Sequence, residues 1–258
     1  MDFVVVAHSP LAPDAAPARI AYRNTAPSAP RSDRTDETPA IVFLHGGWGY
    51  EMYPFDRQIT AFGVSRRIVI PDRSGYGASP AIATLPSDFH QRAADETIAV
   101  LDRLGLARPV LWGHSDGAII ALRIALASPD RVAGVIAEAT HFFRRKAAST
   151  TFFENVIANP ASTAIMRAHA QAWLTIGAEA ASATDDFYGG CLGTLTTPTL
   201  LVHGGRDPRT EPGEIDALHR AAPLIQVRVF ADAAHSPHSE IGSAEAVTAA
   251  AARFLGAA

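Results

Sequence analysis

Along most of the chain, two kinds of segment alternate: short apolar runs and longer segments in which apolar residues recur with helical spacing. Runs rich in Val, Ile and Leu with little polar interruption are typical of strands covered on both faces. Such runs occur at AIVFLH (40–45), RIVIP (67–71), PVLWG (109–113), RVAGVIAE (131–138), TLLVHG (199–204) and QVRVF (226–230), and two shorter strands are predicted near 3–8 and 19–23. Helical periodicity fills intervening segments at 87–104, 116–127, 212–221 and 243–255. This alternation predicts an α/β fold with a mostly parallel sheet flanked by helices.

Two segments depart from the alternation. Residues 24–39 are rich in Pro, Ser, Thr and charge, and too little chain precedes them to form a domain, so we interpret them as an exposed loop. Residues 140–197 are too many for a simple crossover and carry helical patterning, which predicts an inserted helical cap. The predicted organisation is a core domain of residues 1–139 and 198–258 with a cap of residues 140–197.

Composition and charge exclude several classes of function. The 258 residues are 48% hydrophobic and 19% charged, which allows a substantial core. A net charge of -4 provides no basic surface, so we expect neither a nucleic-acid nor a membrane partner. The single cysteine, Cys191, excludes an internal disulfide and a cysteine-built zinc site. Because the N-terminus lacks a signal-peptide pattern and no apolar run could span a membrane, we expect a soluble, cytoplasmic protein.

The stretch GHSDG, residues 113–117, joins a predicted strand to a predicted helix and fits the nucleophile elbow G-x-S-x-G. A strand that turns at once into a helix strains its central residue, and small residues on either side let neighbouring segments approach. The turn places the hydroxyl of Ser115 at a helix N-terminus, where the dipole favours developing negative charge. The alternative interpretation is a tight strand–helix turn with a capping serine.

A serine nucleophile requires a base, and the base requires an acid that orients it. Asp207 follows the strand TLLVHG and His235 follows the strand QVRVF, in the order serine, acid, histidine that this architecture uses. His238 competes for the role of base, and Glu138 or Asp232 for the role of acid. We favour Asp207 and His235, and we interpret His238 as a residue that packs or braces the last loop.

Attack on an ester carbonyl creates an oxyanion, which requires preorganised N–H donors. We expect one donor from Asp116, the residue after the nucleophile. The glycine-rich loop FLHGGWGY offers the second, and we favour Gly47 with Trp48 as the alternative. Three further histidines lie in tight turns at strand ends, where a structural hydrogen bond is the expected role: His45, His114 and His203.

The motifs HGGWG, DRSGYGAS, GHSDG, HGGRDP and AHSPH follow one another as in the α/β-hydrolase superfamily, which the chain resembles from about residue 40 onward. The resemblance implies an eight-stranded, mostly parallel sheet with a cap inserted after the sixth strand. It also implies a triad of Ser115, Asp207 and His235, with the amides of Gly47 and Asp116 as the oxyanion hole. A serine at the elbow speaks against the haloalkane dehalogenase and epoxide hydrolase branches, which use aspartate there.

Within the superfamily, the Ser-Asp-Gly elbow resembles the biphenyl-hydrolase-like branch, which includes valacyclovir hydrolase. That resemblance implies that Asp116 holds an ammonium group of the substrate. His114 and Ala118 depart from the branch, which has Trp and Gly at these positions. The alternative for Asp116 is a first-turn acid that the helix dipole favours.

These residues predict a serine hydrolase that cleaves a small carboxylic ester, lactone or related acyl compound through an acyl-enzyme. We expect no metal and no organic cofactor, a small-molecule acyl substrate as the partner, and an oligomeric state that the sequence leaves open. Besides Asp116, the residues predicted to face the substrate are Trp48, His141, Phe142 and Trp173, the last with internal cap packing as its alternative. A carbon–carbon bond hydrolase, an acyltransferase, or a ligand-sensing protein with little turnover could carry the same triad.

Overall fold

A computed structural model describes residues 1–26 and 38–257 of the chain. The strands are β1 (Asp2–Val6), β2 (Ala18–Thr25), β3 (Ile41–Leu44), β4 (Ile68–Pro71), β5 (Val110–His114), β6 (Gly134–Glu138), β7 (Thr199–Gly204) and β8 (Gln226–Phe230). The α-helices are α1 (Asp56–Phe62), α2 (Phe89–Arg103), α3 (Asp116–Ala127), α4 (Thr150–Ala158), α5 (Ala164–Glu179), α6 (Glu214–Ala221) and α7 (Ala244–Ala257). Residues 27–37 of the predicted loop 24–39 lie outside the described residues.

All eight strands form one sheet in the order β1-β2-β4-β3-β5-β6-β7-β8. The pairings of β2 with β1 and with β4 are antiparallel, and every pairing from β4 onward is parallel. The predicted α/β fold with a mostly parallel eight-stranded sheet is confirmed. β5 lies in the middle of the parallel part, and its carboxyl end is where such sheets place ligands.

Two apolar cores cover the two faces of the sheet, because successive side chains of a strand point to opposite faces. On β3, Val42 and Leu44 belong to the core that includes residues of α2 and α3. Ile41 and Phe43 belong to the opposite core, which includes residues of α1 and α7. The strands β3 to β7 are therefore buried on both sides, as their unbroken apolar runs predict. The same prediction is wrong for QVRVF, because β8 is an edge strand and most of its residues are exposed.

The segment between β6 and β7 forms the helices α4 and α5, which pack on each other. Helix α5 begins after Thr163, whose hydroxyl accepts a hydrogen bond from the amide of Met166 at 3.3 Å. Its residues Ala170, Trp173 and Ile176 are buried in the core that also contains α3. Both helices lie within the segment predicted as a cap, and the division into a core domain and a cap stays a prediction.

Two further features of the helices bear on the predictions. Helix α1 was not predicted, because its seven residues bury only Gln58 and Phe62 and so show no clear periodicity. Within residues 1–26 and 38–257, no helix combines the length and apolar character needed to cross a membrane.

Candidate active site

Ser115 is the only residue between β5 and α3, and it has φ 55° and ψ −118°. A non-glycine residue with positive φ is strained, and the surrounding structure must hold it there. A Cβ atom at Gly113 would lie 2.0 Å from the carbonyl oxygen of Gly117, and one at Gly117 would lie 1.9 Å from that of Leu44. Both glycines are therefore required by close backbone approach, as the elbow interpretation predicts.

The structure brings Ser115, His235 and Asp207 together. The Nε2 atom of His235 lies 3.1 Å from Oγ of Ser115, and its Nδ1 atom lies 2.8 Å from Oδ2 of Asp207. Burial raises the pKa of Asp207, but the hydrogen bond and charge of His235 outweigh it and lower that pKa below its ordinary value. The ionised carboxylate accepts from Nδ1–H, which leaves Nε2 able to accept the serine proton.

The residues considered as alternative acids or as an alternative base bond other partners. Glu138 and His238 pair with each other, with Oε1 to Nδ1 at 2.7 Å, and both side chains are fully buried. Asp232 has an 85% exposed side chain and pairs with Arg206 at 2.5 Å. The ring of His238 thus contacts Glu138 and not the nucleophile, in line with the bracing role predicted for it.

The three histidines at strand ends make the structural hydrogen bonds expected of them. His45 and His114 each bond a main-chain oxygen, at 2.7 and 3.0 Å, and His203 bonds the hydroxyl of Thr210 at 2.7 Å. Burial is the main reason that the pKa of each of the three is lowered below its ordinary value. They are neutral rings that fix the loops of the site.

Side-chain hydrogen bonds to its carbonyl oxygens hold the glycine-rich loop after β3 in place. Arg73 donates to the carbonyl oxygen of Gly46 at 3.0 Å, and the hydroxyl of Tyr76 donates to that of Gly47 at 2.9 Å. Among the hydrogen bonds of residues 1–26 and 38–257, none uses the amide of Gly47 or Trp48 as a donor. The loop is therefore preorganised with unbonded N–H groups, which is what an oxyanion hole requires.

The amide of Asp116 is the other predicted donor. Asp116 is the first residue of α3, and the first four N–H groups of a helix have no acceptor within it. A Cβ atom at Gly47 would lie 2.1 Å from Nε2 of His169 and 2.8 Å from Oδ2 of Asp116. Glycine at position 47 thus lets the loop approach the start of α3 closely. The assignment of the oxyanion hole to Gly47 and Asp116 stays a prediction.

The carboxylate of Asp116 is fully buried and accepts hydrogen bonds from three side chains. His90 and Trp173 donate to Oδ1 at 3.0 and 3.2 Å, and Nε2 of His169 lies 2.6 Å from Oδ2. Burial raises the pKa of Asp116, but the attraction of His169 and the hydrogen bonds from His169 and His90 hold it well below its ordinary value. An ammonium group would have to displace one of these donors.

The pairing of Asp116 connects α2 and α5 to the residue next to the nucleophile, a role that neither sequence interpretation included. His169 and Trp173 lie four residues apart in α5, so they share one face of the helix. That spacing was a usable signal beside the predicted Trp173. No comparable pattern pointed to His90, which stacks on its neighbour Phe89 with ring centres 3.9 Å apart.

The residues predicted to face the substrate fall into two groups. The ring of His141 lies parallel to that of His235, with centres 5.8 Å apart, and Trp48 lies in the glycine-rich loop with its ring centre 5.0 Å from that of His169. Phe142 and Trp173 instead belong to the apolar core. Substrate contact stays a prediction for all four. Trp173 packs on Phe153 of α4, but its indole N–H also bonds Asp116, so its ring is not confined to the interior of the predicted cap.

No site for a metal is evident in the part of the chain that the structure describes, because it holds no group of three or more His, Cys, Asp or Glu side chains with suitable spacing. The hydroxyl, imidazole and carboxylate groups at the elbow are suited to proton transfer and acyl transfer. The expected lack of a metal or organic cofactor stays a prediction.

Comparison with known proteins identifies the family. The family model described as "Alpha/beta hydrolase family" matches residues 41–251. The chain belongs to the alpha/beta hydrolase family. Relatives in this family include epoxide hydrolase 2 of Siraitia grosvenorii, 32% identical over 108 residues, which cover 42% of this chain and 34% of that protein. The match to a haloalkane dehalogenase of Mycolicibacterium paratuberculosis is 30% identical over 139 residues, 52% of this chain and 43% of the relative.

In both relatives, the match spans less than half of the relative's own length. Solved structures of the alpha/beta hydrolase fold match over nearly the whole chain. An esterase from Thermogutta terrifontis matches with a TM-score of 0.68 and 22% identity, over 99% of this chain and 98% of that one. An enol-lactonase from Burkholderia xenovorans matches with a TM-score of 0.65 and 19% identity, over 93% and 97% of the two chains. At these identities the likeness shows the fold.

Proposed function

We propose that the protein is a serine hydrolase of small carboxylic esters, lactones or related acyl compounds. The observation that carries the proposal is the chain of contacts from Asp207 through His235 to a strained Ser115. Because the elbow residue is a serine, the covalent intermediate would be an acyl ester that water can cleave.

The reaction takes two steps. Oγ of Ser115 attacks the carbonyl carbon while Nε2 of His235 takes its proton, and the collapsing intermediate expels the alcohol with that proton. Water then attacks the acyl-enzyme, again losing a proton to His235, and the acid is released as Ser115 regains its hydrogen. Asp207 stabilises the transient imidazolium, and the amides of Gly47 and Asp116 would bind the oxyanion.

The surroundings of the nucleophile favour a small-molecule substrate. Ser115 is 6% exposed, so a folded polymer could not reach its hydroxyl directly. Aromatic rings and imidazoles lie around the triad, with His141 beside the base and Trp48 beside the glycine-rich loop. A compact acyl group suits this space better than a charged macromolecule.

Covalent labelling tests the proposal. The protein should gain the mass of one phosphonyl group from a fluorophosphonate probe, and it should release an initial burst of 4-nitrophenol from 4-nitrophenyl acetate. Ser115→Ala should abolish both. Ser239→Ala is the matched control, because Ser239 bonds only the carbonyl oxygen of Ser236 in the last loop. Labelling that persists in Ser115→Ala would overturn the assignment, and labelling without turnover would favour a ligand-sensing protein.

A further inference from the structure

Arg209 lies two residues after the acid of the proposed triad and is tied to it. Its main-chain amide donates to Oδ1 of Asp207 at 2.9 Å. The guanidinium carbon lies 4.3 Å from the ring centre of Phe152 in α4 and 5.8 Å from that of Trp48 in the glycine-rich loop. Two aromatic rings from different segments therefore hold this cation beside the site.

Arg209 differs from two other partly buried arginines in that its guanidinium has no hydrogen-bond acceptor among the described residues. Burial lowers the pKa of Arg66, Arg123 and Arg209 below the ordinary arginine value. Arg66 donates to two main-chain oxygens, each at 3.1 Å, and Arg123 donates to Gln91 and to the carbonyl oxygen of Phe187. No oxygen of residues 1–26 or 38–257 accepts a hydrogen bond from the guanidinium of Arg209.

The carboxylates whose charges act on Arg209 are committed elsewhere. Asp207 and Asp116 both favour its charged form, but neither forms an ion pair with it. The first accepts from His235, and the second accepts from His90 and His169. Arg209 is half-buried, so the five N–H donors of its guanidinium are open to solvent or to a ligand. An anionic oxygen group is the ligand that would suit this unpaired cation best.

A second group with an unused hydrogen-bonding atom lies near the triad. The buried Nδ1 atom of His141 has no hydrogen-bond partner, and the ring of this residue is parallel to that of His235. Burial first, and then the charges of Lys146, His235 and Arg209, hold the pKa of His141 well below its ordinary value. The ring is therefore neutral, so it can donate one hydrogen bond without adding charge.

We propose that Arg209 is the anion-binding residue of the substrate site and that the substrate carries a carboxylate as well as the scissile ester. The inference rests on the proposed ester hydrolase function. It specifies the substrate class as half-esters of dicarboxylic acids and lactones that bear a carboxylate. The planar guanidinium can bind both carboxylate oxygens. Phe152 is 38% exposed, so this subsite borders solvent.

A matched pair of esters tests the proposal. We would compare kcat/KM for mono-4-nitrophenyl adipate with kcat/KM for its methyl-capped neutral counterpart. The wild-type protein should prefer the anionic ester by at least about tenfold, equivalent to about 1.4 kcal/mol. Arg209→Gln should bring the ratio close to one, and Arg209→Lys should keep part of it because the charge remains. Arg206→Gln is the control, because Arg206 lies in the same loop and pairs with exposed Asp232.

A binding readout separates this inference from the proposed function. Adipate should slow fluorophosphonate labelling of Ser115 in the wild type and in Arg206→Gln but not in Arg209→Gln. Hydrolysis of both esters at equal rates by the wild type, or an unchanged preference in Arg209→Gln, would overturn the carboxylate subsite and leave the hydrolase intact. Failure of all labelling and all ester hydrolysis would instead overturn the proposed function.

Discussion

Two carboxylate–histidine pairs lie close together in this molecule, and they differ in what the second nitrogen of each histidine faces. In the pair Asp207–His235 the contact is 2.8 Å, and in the pair Glu138–His238 it is 2.7 Å. Both histidines belong to the loop after β8, three residues apart. The distance between carboxylate and ring therefore does not tell a catalytic pair from a structural one.

The second ring nitrogen distinguishes them. In His235 it faces the hydroxyl of Ser115 at 3.1 Å, a group that can donate a proton. In His238 it faces the carbonyl oxygen of Tyr53 at 3.1 Å, which can only accept. Both nitrogens of His238 therefore face acceptors, and neither faces a group that could give up a proton to it. The ring of Phe55 stacks on that of His238, with ring centres 4.0 Å apart, and covers the pair.

The largest expected effect comes from removing the base that reaches the serine. His235→Ala should lower kcat/KM for 4-nitrophenyl acetate by at least about 10³-fold, because Ser115 would lose the group that accepts its proton. The melting temperature should fall as well, because the buried carboxylate of Asp207 would lose its histidine partner. His219→Ala, an exposed histidine on α6, is the matched control and should retain activity. Equal losses in both variants would contradict the assignment.

His238→Ala should lose stability while keeping most of its activity. Glu138 would remain buried with an uncompensated charge, so the free energy of unfolding in urea should fall by about 3 kcal/mol. Activity should fall by less than about tenfold, because the contact between His235 and Ser115 survives. Adding Glu138→Gln should recover part of the stability by removing the charge. A greater loss of activity in His238→Ala than in His235→Ala would reverse the roles of the two pairs.

The features that could be predicted are those that depend on short stretches of neighbouring residues. β5 and β7 are unbroken apolar runs, and the elbow at Ser115 combines a strand, two glycines and a helix within a few residues. Asp207 and His235 could be assigned because parallel strands bring their carboxyl ends to one edge of the sheet. Each of these inferences needs only the nearby sequence and the topology.

The features that were missed depend on packing between distant segments. The partners of Asp116 lie 26 and 53 residues away in the chain, and only the packing of α2 and α5 brings His90 and His169 to its carboxylate. The lack of an acceptor for Arg209 is a property of its three-dimensional surroundings. Sequence patterns record which residues are polar, but they do not record which polar groups are already paired.

The smallest expected effect is on the pH dependence of stability, and it comes from His90, the partner of a third buried carboxylate, Asp116. It donates to Asp116 at 3.0 Å, yet its pKa is lowered to about 4, because burial outweighs the attraction of Asp116, and the charges of Arg123 and His169 add to the lowering. The folded protein thus keeps His90 neutral below pH 6.5, where the unfolded chain takes up a proton. Stability should therefore fall as the pH drops from 7 to 5, by about 2 kcal/mol from this residue.

Urea unfolding of the wild type and of His90→Gln at pH 7, 6 and 5 isolates that contribution. The glutamine amide can still donate to Asp116 but does not titrate, so the variant should lose about 2 kcal/mol less than the wild type between pH 7 and pH 5. Asp116 stays ionised over this range because its pKa is held far lower, so it contributes equally at each pH. The other buried neutral histidines act with the same sign in both proteins and cancel in the difference. Identical pH profiles for the two proteins would mean that the pKa of His90 is the same in the folded and unfolded states, and a smaller loss of stability in the wild type than in His90→Gln would mean that His90 is charged in the folded protein.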